Sequence, residues 1–357
     1  MSNKLSRVLK EIGPVDMEAM EEARNRQDEL TKPRGSLGRL EDLAIKIAGI
    51  KGRMVQHFEH KVIVTMAADH GVVREGVALY PQEVTRQMVL NFLNGGAGIN
   101  VLARFAGARV VVVDMGVIGG FEPHVGLVCK RIGPGTRDMT EGAAMTRRQA
   151  VNAIVAGVEV VEAEIGRGLD IVGTGDMGIG NTTASSAILA AVTGEAVQKV
   201  TGRGTGLADD QLVHKARMIK KALETNVPDP DDPIDILAKV GGFEIGGLAG
   251  VMLGAAAHHV PVVIDGFVSG AAALIATKLS PGLTDYLVAG HLSAESGHRT
   301  LLEYLGLDPL LTLEMRLGEG TGAALGIAIV EAAVRSMAEM ATFAEAGVST
   351  IENEGDC

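Results

Sequence analysis

The sequence is poor in aromatic residues: its 357 residues include no tryptophan, three tyrosines and seven phenylalanines. Proteins that bind single-stranded nucleic acid usually stack the bases on aromatic side chains, so the composition argues against an extended surface of that kind. Basic residues are also outnumbered, 33 against 44 acidic ones, and the formal net charge is −11. Proteins that follow a phosphate backbone usually carry the opposite charge, so we expect no nucleic-acid partner.

Cysteine is nearly absent. Cys129 and Cys357 form no CxxC pair and no Cys/His zinc spacing, which argues against a disulfide framework and a zinc site. This composition is typical of a reducing compartment, and the charged N-terminal segment lacks the pattern of a signal peptide, so we expect a cytoplasmic protein. The longest apolar stretch, 245–276, is interrupted by polar residues and predicts a buried helix, strand and helix rather than a membrane span.

Glycine, in contrast, is abundant, with 47 residues, about 13% of the chain against a usual value of about 7%. Many of these glycines cluster at 173–180, 202–206, 241–250 and 316–322. Because glycine lets the backbone turn sharply and approach other atoms closely, the clusters predict tight turns and close contacts of the backbone.

Short apolar runs that alternate with helix-like segments predict an α/β fold. The runs are 61–71, 108–116, 169–178, 260–267 and 285–291. Continuous runs of β-branched residues are typical of parallel strands that helices cover on both faces. We therefore predict an open, mainly parallel sheet with Rossmann-like helical flanks.

Polar side chains recur where these runs end. They are Asp69, His70, Asp114, Asp176, Asp265 and His291. Ligands of open α/β sheets bind beyond the carboxyl ends of the strands, so the pattern predicts a site at that edge. Aspartate also ends strands for purely structural reasons, and the sequence leaves both interpretations open.

The loop GTGDMGIGNTT at 173–183 has three interpretations. Its glycines fit the dinucleotide fingerprint G-x-G-x-x-G, with Glu195 as the ribose-binding acid, which would indicate an NAD-dependent oxidoreductase. A P-loop is disfavoured because Asn181 stands where that motif requires lysine. More generally, a glycine-rich turn before a helix binds phosphate through free N–H groups, with Thr182 and Thr183 adding hydroxyls. A non-catalytic nucleotide-binding regulator would have the same loop.

A second glycine cluster, TGRGTG at 201–206, precedes Lys215 on a predicted helix. A glycine loop with cations nearby, here Arg203 and Lys215, suits a second contact with an anion. The adjacent pair Asp209-Asp210 is interpreted as a helix N-terminus, where carboxylates interact favourably with the helix dipole, and not as a metal site.

Glu319 lies between Gly318 and Gly320, directly before a predicted helix at 323–341. The glycines allow a ligand to approach the carboxylate, and we expect the helix N-terminus to favour its ionised form. Such a carboxylate can act as a general base, although a first-turn acid that serves only the helix would have the same spacing.

Together these features resemble the family of nicotinate-nucleotide:dimethylbenzimidazole phosphoribosyltransferases. The matching segments are KPRGSLGRLEDLA (32–44), ADHGV (68–72), YPQEVTRQMV (80–89), GGAGINVLAR (95–104), GTRDMT (135–140), GDMGIGNTT (175–183), TGRGTG (201–206), DGFVSGAAAL (265–274), HLSAESGH (291–298) and RLGEGTGAAL (316–325). They follow in order along nearly the whole chain, which makes the resemblance specific.

The resemblance implies an α/β nucleotide-binding core at 56–315 and a smaller helical domain assembled from 1–55 and 316–357. It implies transfer of the phosphoribosyl group from nicotinate mononucleotide to dimethylbenzimidazole, with inversion at C1′. It also implies a homodimer that uses no cofactor and no metal ion.

The residues and the resemblance together assign roles at the site. The resemblance makes Glu319 the general base and places Asp176 where the family usually has a glutamate near the benzimidazole, so the side chain here is one methylene shorter. The expected phosphate and nucleotide contacts are Gly178, Gly180, Asn181, Thr182, Thr183, Gly202, Arg203, Gly204, Lys215, Asp265 and Ser293. The expected base pocket is lined by Tyr80, Pro81, Gln87, Met177 and Leu317.

Overall fold

The computed structural model describes residues 2–204 and 206–349, so Cys357 lies outside the described residues. A six-stranded sheet forms the centre, in the order β3-β2-β1-β4-β5-β6, and every neighbouring pair is parallel. The strands are β1 (Lys61–Ala68), β2 (Ala108–Gly116), β3 (Leu127–Cys129), β4 (Ile171–Met177), β5 (Val262–Ile264) and β6 (Leu287–Ala289). The predicted open parallel sheet is confirmed. Strand β3 is not predicted by the sequence pattern, because its three residues lie between Gly126 and Lys130 and belong to no longer apolar run.

Helices cover both faces of the sheet. They are α1 (Asn3–Glu11), α2 (Met17–Glu29), α3 (Arg39–Lys51), α4 (Glu83–Leu93), α5 (Gly98–Ala106), α6 (Arg147–Ile165), α7 (Asn181–Thr193), α8 (Val197–Val200), α9 (Asp209–Asn226), α10 (Pro233–Val240), α11 (Phe243–Ala257), α12 (Phe267–Leu279), α13 (Ser296–Leu305), α14 (Thr321–Glu339) and α15 (Phe343–Ala346). Two short 3₁₀ helices follow β1 and precede β6, at Gly71–Glu75 and Pro281–Tyr286. Helix α14 and the succession α11, β5, α12 confirm the helices and the strand predicted at 323–341 and 245–276.

Strand β1 shows why the strands are continuously apolar. Its side chains alternate between the two faces of the sheet. Ile63 contacts the backbone position of Gly320, at the start of α14, whereas Met66 contacts Gly247 of α11 on the other face. Because both faces are covered, both sets of side chains must be apolar.

The strand order places a crevice between β1 and β4. These two strands are hydrogen-bonded neighbours, but the chain adds β2 and β3 on one side and β5 and β6 on the other. Where the direction of winding reverses in this way, the connections leave adjacent strands in opposite directions and a crevice opens beyond the carboxyl ends. The edge predicted from the polar strand ends is therefore the edge where this fold binds ligands.

The two ends of the described chain meet on one side of the core. Helices α2 and α3 pack against α14, and Leu30 forms an antiparallel bridge with Thr342. Helix α14 also packs on β4, β5 and α5. By length and composition alone α14 could cross a membrane, but more than half of its apolar stretch is buried in the protein, so its apolar character is explained by the core. The domain division at 55 and 315 stays a prediction.

Helices α6 and α11 are in direct backbone contact. A Cβ atom on Gly157 would lie 1.8 Å from the carbonyl oxygen of Gly247, and one on Gly250 would lie 1.9 Å from the carbonyl oxygen of Ile154. The glycines of 241–250 that lie within α11 therefore allow two helices to approach, and the backbone that they contact closely is that of α6. A glycine pattern looks the same in the sequence whether the close neighbour is a ligand or a helix.

We expect Gly157→Ala to lower the free energy of unfolding by about 3 kcal/mol, because the new methyl group must push the backbone of α11 away. Gly142→Ala is the matched control: a Cβ at Gly142 meets no atom within 4 Å, and its effect should stay within about 0.5 kcal/mol. Urea unfolding followed by circular dichroism measures both. Equal stabilities of the two variants would contradict the backbone contact.

Candidate active site

A cleft of about 830 Å³ opens beyond the carboxyl end of β4. It is lined by residues from four parts of the chain that the sequence analysis assigned to one site. They are Asp176, Met177, Gly178, Gly180, Asn181, Thr182, Arg203, Gly204, Lys215, Ser293 and Leu317. The structure therefore brings both glycine loops, the lysine and part of the expected base pocket to the same cavity.

One end of the cleft is formed by the first glycine loop and helix α7. Gly180 has a φ of +95°, a left-handed conformation that glycine adopts without strain, and α7 begins at the next residue. The hydroxyl of Thr182, in the first turn of α7, accepts a hydrogen bond of 2.8 Å from Lys215 Nζ. Helix N-termini carry a partial positive charge, so this end of the cleft suits an anion.

Lys215 joins the two glycine loops. It extends from α9, and its ammonium group also donates to the carbonyl oxygen of Gly202, at 3.2 Å. Only 1% of its surface is exposed, and burial lowers the pKa of its ammonium group to about 8, although the nearby Glu295 carboxylate opposes this effect. Arg316 adds a second cation here, with its guanidinium bound to the carbonyl oxygen of Gly204 at 3.0 Å.

Glu295 is buried beside this cationic group. Burial raises the pKa of its carboxyl group, whereas Lys215 and Arg316 lower it. Its Oε2 atom has no hydrogen-bond partner among the described residues and fills the space where a side chain on Gly202 would be. Position 202 therefore requires glycine because the carboxylate occupies that space.

The cleft also contains an acidic side chain. Asp176, the next-to-last residue of β4, is 8% exposed and accepts a hydrogen bond of 2.9 Å from the side-chain amide of Asn181. Burial raises its pKa well above the usual value, and the neighbouring carboxylates of Asp265, Glu244 and Glu319 raise it further. Burial and the like-charged neighbours thus disfavour the ionised form of Asp176, and a cationic ligand would offset this effect.

Glu319 lies near Asp176, in a turn whose residues Leu317 and Gly318 line the cleft. Its φ is +64°, between glycines at +78° and +101°, a backbone conformation that costs a non-glycine residue about 1 kcal/mol or more. The carboxylate accepts a hydrogen bond of 3.1 Å from the amide of Ile99, in the first turn of α5.

The helix whose N-terminus holds the Glu319 carboxylate is α5, and not α14 as the sequence analysis expected. The side chain reaches α5 instead, and only 4% of the residue is exposed. Burial raises the pKa of its carboxyl group more than the Ile99 amide lowers it. A raised pKa brings the group closer to neutral pH, where a general base transfers protons most efficiently.

Asp265 occupies the position at α14 that the sequence analysis gave to Glu319. One carboxylate oxygen accepts from the amides of Gly322, at 2.6 Å, and Ala323, at 3.1 Å, and the other accepts from Gly320, at 3.1 Å. Asp265 has no exposed surface; burial raises its pKa to about 7, although these amides lower it. Asp265 thus caps α14, and its predicted contact with the nucleotide stays a prediction.

The other predicted residues lie around the cleft or apart from it. Thr183 is completely buried in α7, and Gly202 contributes its carbonyl oxygen to Lys215. Gln87 lines a separate cavity of about 640 Å³ together with Asp69. Tyr80 and Pro81 are exposed, and they line neither cavity. Within a single chain, the five residues expected to form the base pocket are thus not assembled.

The sequence analysis gives no role to three charged residues in or near the cleft, Glu295, Arg316 and Glu244. Glu295 and Arg316 line it, and both lie inside the quoted segments HLSAESGH and RLGEGTGAAL, where their charge was the available signal. His70, below the loop at Gly178, forms a buried pair with Glu244, with 2.6 Å between Nε2 and Oε1. No sequence signal links these two partners, which are 174 positions apart.

The dinucleotide interpretation does not fit the geometry. Gly173 and Gly175 lie inside β4, so only Gly178 of the three fingerprint glycines lies in the turn after the strand. Glu195 follows the far end of α7 and forms an ion pair with Lys199, so it does not face the cleft. Among the described residues, no group of three His, Cys, Asp or Glu side chains is placed to hold a metal ion.

Comparison with known proteins agrees with this geometry. A family model described as phosphoribosyltransferase matches residues 12–348. A protein of Desulforudis audaxviator named nicotinate-nucleotide–dimethylbenzimidazole phosphoribosyltransferase is 61% identical over 350 residues, covering 98% of this chain and 99% of its own. A protein of Roseiflexus with the same name is 57% identical over 98% of this chain and 99% of its own.

A solved structure gives the same result. The crystal structure of the enzyme of that name from Thermus thermophilus superposes with a TM-score of 0.88 at 46% identity, covering 94% of this chain and 99% of that chain. The chain therefore belongs to the phosphoribosyltransferase family of these enzymes.

Proposed function

We propose that the protein transfers the 5-phosphoribosyl group of nicotinate mononucleotide to dimethylbenzimidazole, giving α-ribazole 5′-phosphate and nicotinate. The observation that carries the proposal for this cleft is its charge distribution. Two cations, Lys215 and Arg316, and the carboxyl group of Asp176 line the same cavity. The donor has a phosphate anion and a cationic pyridine ring, so the cleft supplies groups of both signs that complement it.

The phosphate is bound where α7 begins. Lys215 supplies a buried ammonium group, Thr182 a hydroxyl, and the loops at Gly178–Gly180 and Gly202–Gly204 leave space for close approach. Charge-assisted hydrogen bonds of this kind are stronger than neutral ones. Fixing the phosphate at this end orients C1′ of the ribose toward Asp176 and the turn of Glu319, and such orientation accounts for much of the rate enhancement in group transfer.

The reaction needs one base. The bond between C1′ and the pyridine nitrogen breaks, and a bond from C1′ to a nitrogen of the acceptor forms on the opposite face, which inverts the anomeric centre. Nicotinate leaves without further activation because its ring nitrogen is already cationic in the donor. The new azolium must lose the proton on its other nitrogen, and Glu319 accepts it.

Met177 and Leu317 provide an apolar wall for the flat acceptor. We retain Tyr80, Pro81 and Gln87 as further acceptor contacts on the strength of the resemblance. On the same basis we propose a cytoplasmic homodimer.

The direct test is to incubate the protein with nicotinate mononucleotide and a panel of azoles, and to analyse the products by mass spectrometry. We expect nicotinate and an azole riboside phosphate in equal amounts, with dimethylbenzimidazole among the best acceptors. Saturable NAD binding without release of nicotinate would contradict the proposal and favour an oxidoreductase or a regulator.

Glu319→Gln should lower kcat by about 100-fold or more, the usual contribution of a general base. Because burial raises the pKa of Glu319, the rising limb of kcat against pH in the wild type should lie above the usual range for glutamate, and the variant should lose it. Glu314→Gln is the matched control, since Glu314 is an exposed glutamate of the same segment with a similar φ of +56°. Near-normal turnover of Glu319→Gln would rule out Glu319 as the base.

Lys215→Ala should raise the KM for nicotinate mononucleotide by about 30-fold, through loss of a charged hydrogen bond to phosphate. In the wild type this KM should also rise above about pH 8, where the ammonium group of Lys215 loses its proton, and the variant should not show this dependence. Lys220→Ala, which removes a lysine paired with Glu224 on the same helix, is the control. An unchanged KM in Lys215→Ala would contradict a phosphate contact.

A further inference from the structure

The turn that carries Glu319 needs to be held by its surroundings. Gly318, Glu319 and Gly320 all have positive φ values, of +78°, +64° and +101°. Glycine adopts such values freely, but glutamate does so rarely. The orientation of the Glu319 carboxylate therefore depends on contacts that fix the backbone on either side of it.

Asp265 holds one side of the turn. Its carboxylate binds the amide of Gly320, directly after Glu319, and the amides of Gly322 and Ala323 at the start of α14. Since the peptide group is planar, the bond to the Gly320 amide holds one edge of the peptide between Glu319 and Gly320. The carbonyl group of Glu319 on its opposite edge needs a partner of its own.

Thr65 holds that carbonyl group. Its hydroxyl donates a hydrogen bond of 2.9 Å to the carbonyl oxygen of Glu319. Thr65 is completely buried near the carboxyl end of β1 and is paired with Gly175 of β4 across the ladder. A Cβ atom on Gly175 would lie 2.2 Å from the same carbonyl oxygen, so the glycine makes room for the carbonyl group and the threonine binds it.

This contact determines where the carboxylate points. The carbonyl oxygen of Glu319 faces the β1–β4 pair, while its carboxylate reaches the amide of Ile99 on α5. Loss of the bond from Thr65 would leave a buried carbonyl oxygen without its partner, which is unfavourable. The peptide, then held only by Asp265 at its N–H, would tilt out of its position. The carboxylate, attached to the same residue, would move with it.

We propose that Thr65 is a positioning residue for the transferase reaction: its hydroxyl holds the Glu319 peptide at the boundary of β1 and β4 and thereby aims the Glu319 carboxylate at the acceptor. The proposal rests on the proposed role of Glu319 as the base. Within the apolar run KVIVTMAA of β1, Thr65 supplies the hydroxyl that this role requires.

Thr65→Val replaces the hydroxyl by a methyl group in a side chain of similar shape. We expect kcat to fall about tenfold, because small displacements of a catalytic group are costly, while the KM values of both substrates stay within about twofold. Thr65→Ser keeps the hydroxyl and should restore kcat to within about twofold of the wild type. If the valine variant is too unstable to assay, Thr65→Ala removes the same hydroxyl without adding a methyl group.

Thr277→Val is the matched control. Thr277 is also buried and donates its hydroxyl to a main-chain carbonyl oxygen, that of Ala273, at 2.8 Å. It lies ten residues from the end of α12 that borders the cleft, about 15 Å along the helix axis. A thermal melt should show comparable losses for the two valine variants, whereas only Thr65→Val should lose turnover.

A double-mutant cycle shows whether Thr65 acts through Glu319. In a Glu319→Gln background, Thr65→Val should cause no further loss of kcat, since the group that it positions is already inactive. An equal loss in both backgrounds would overturn the proposal, as would unchanged kcat in Thr65→Val or an equal loss in the serine variant. These outcomes differ from failure of the proposed base, which normal turnover of Glu319→Gln alone would reveal.

Discussion

The carboxylate of Asp265 is the contact on which the site depends. It accepts three amides from the segment that leads into α14, so it joins the end of β5 to a helix on the face of the sheet that carries α5. The chain between them has to cross the carboxyl ends of β1 and β4, where the glycines of β4 leave no side chain in its path. This crossing brings Glu319 to the edge of the cleft. A carboxyl group with no exposed surface thus stabilises the fold, and in doing so it places Glu319 at the cleft.

Burial governs the electrostatics of the cleft. Lys215, Asp176 and Glu319 are each shifted toward their neutral forms by removal from water. Removal from water disfavours the charged form of each group, and a ligand of the opposite charge offsets that cost. Lys215 and the carboxyl groups therefore gain stabilising partners when a substrate that carries both charges binds.

Much of the fold could be predicted from the sequence, because continuous apolar runs separated by helix-like segments are compatible with few folds besides a covered parallel sheet. The periodicity of the sequence could not predict that residues from 176 to 317 line one cleft. That prediction came from motifs that follow in order along the chain. The differences between the sequence analysis and the structure share one cause: a sequence does not show which residues become neighbours in space. The glycines at 173 and 175 lie within a strand, those of α11 face another helix, and burial reverses the expected effect on Glu319. Asp265 follows a strand, and its place at the strand end assigned it to a ligand, whereas in the structure its carboxylate binds the amides that begin α14.

The carboxyl groups of the cleft also affect the release of the products after the transfer. The donor arrives with a cationic ring, which Asp176 and its carboxylate neighbours attract. In the proposed reaction that charge disappears, because nicotinate leaves as an anion and the azole becomes neutral once its proton is lost. Both products therefore lose the attraction that held the donor, and nicotinate is repelled. The same carboxylates that help to bind the substrate would then assist product departure and limit the reverse reaction.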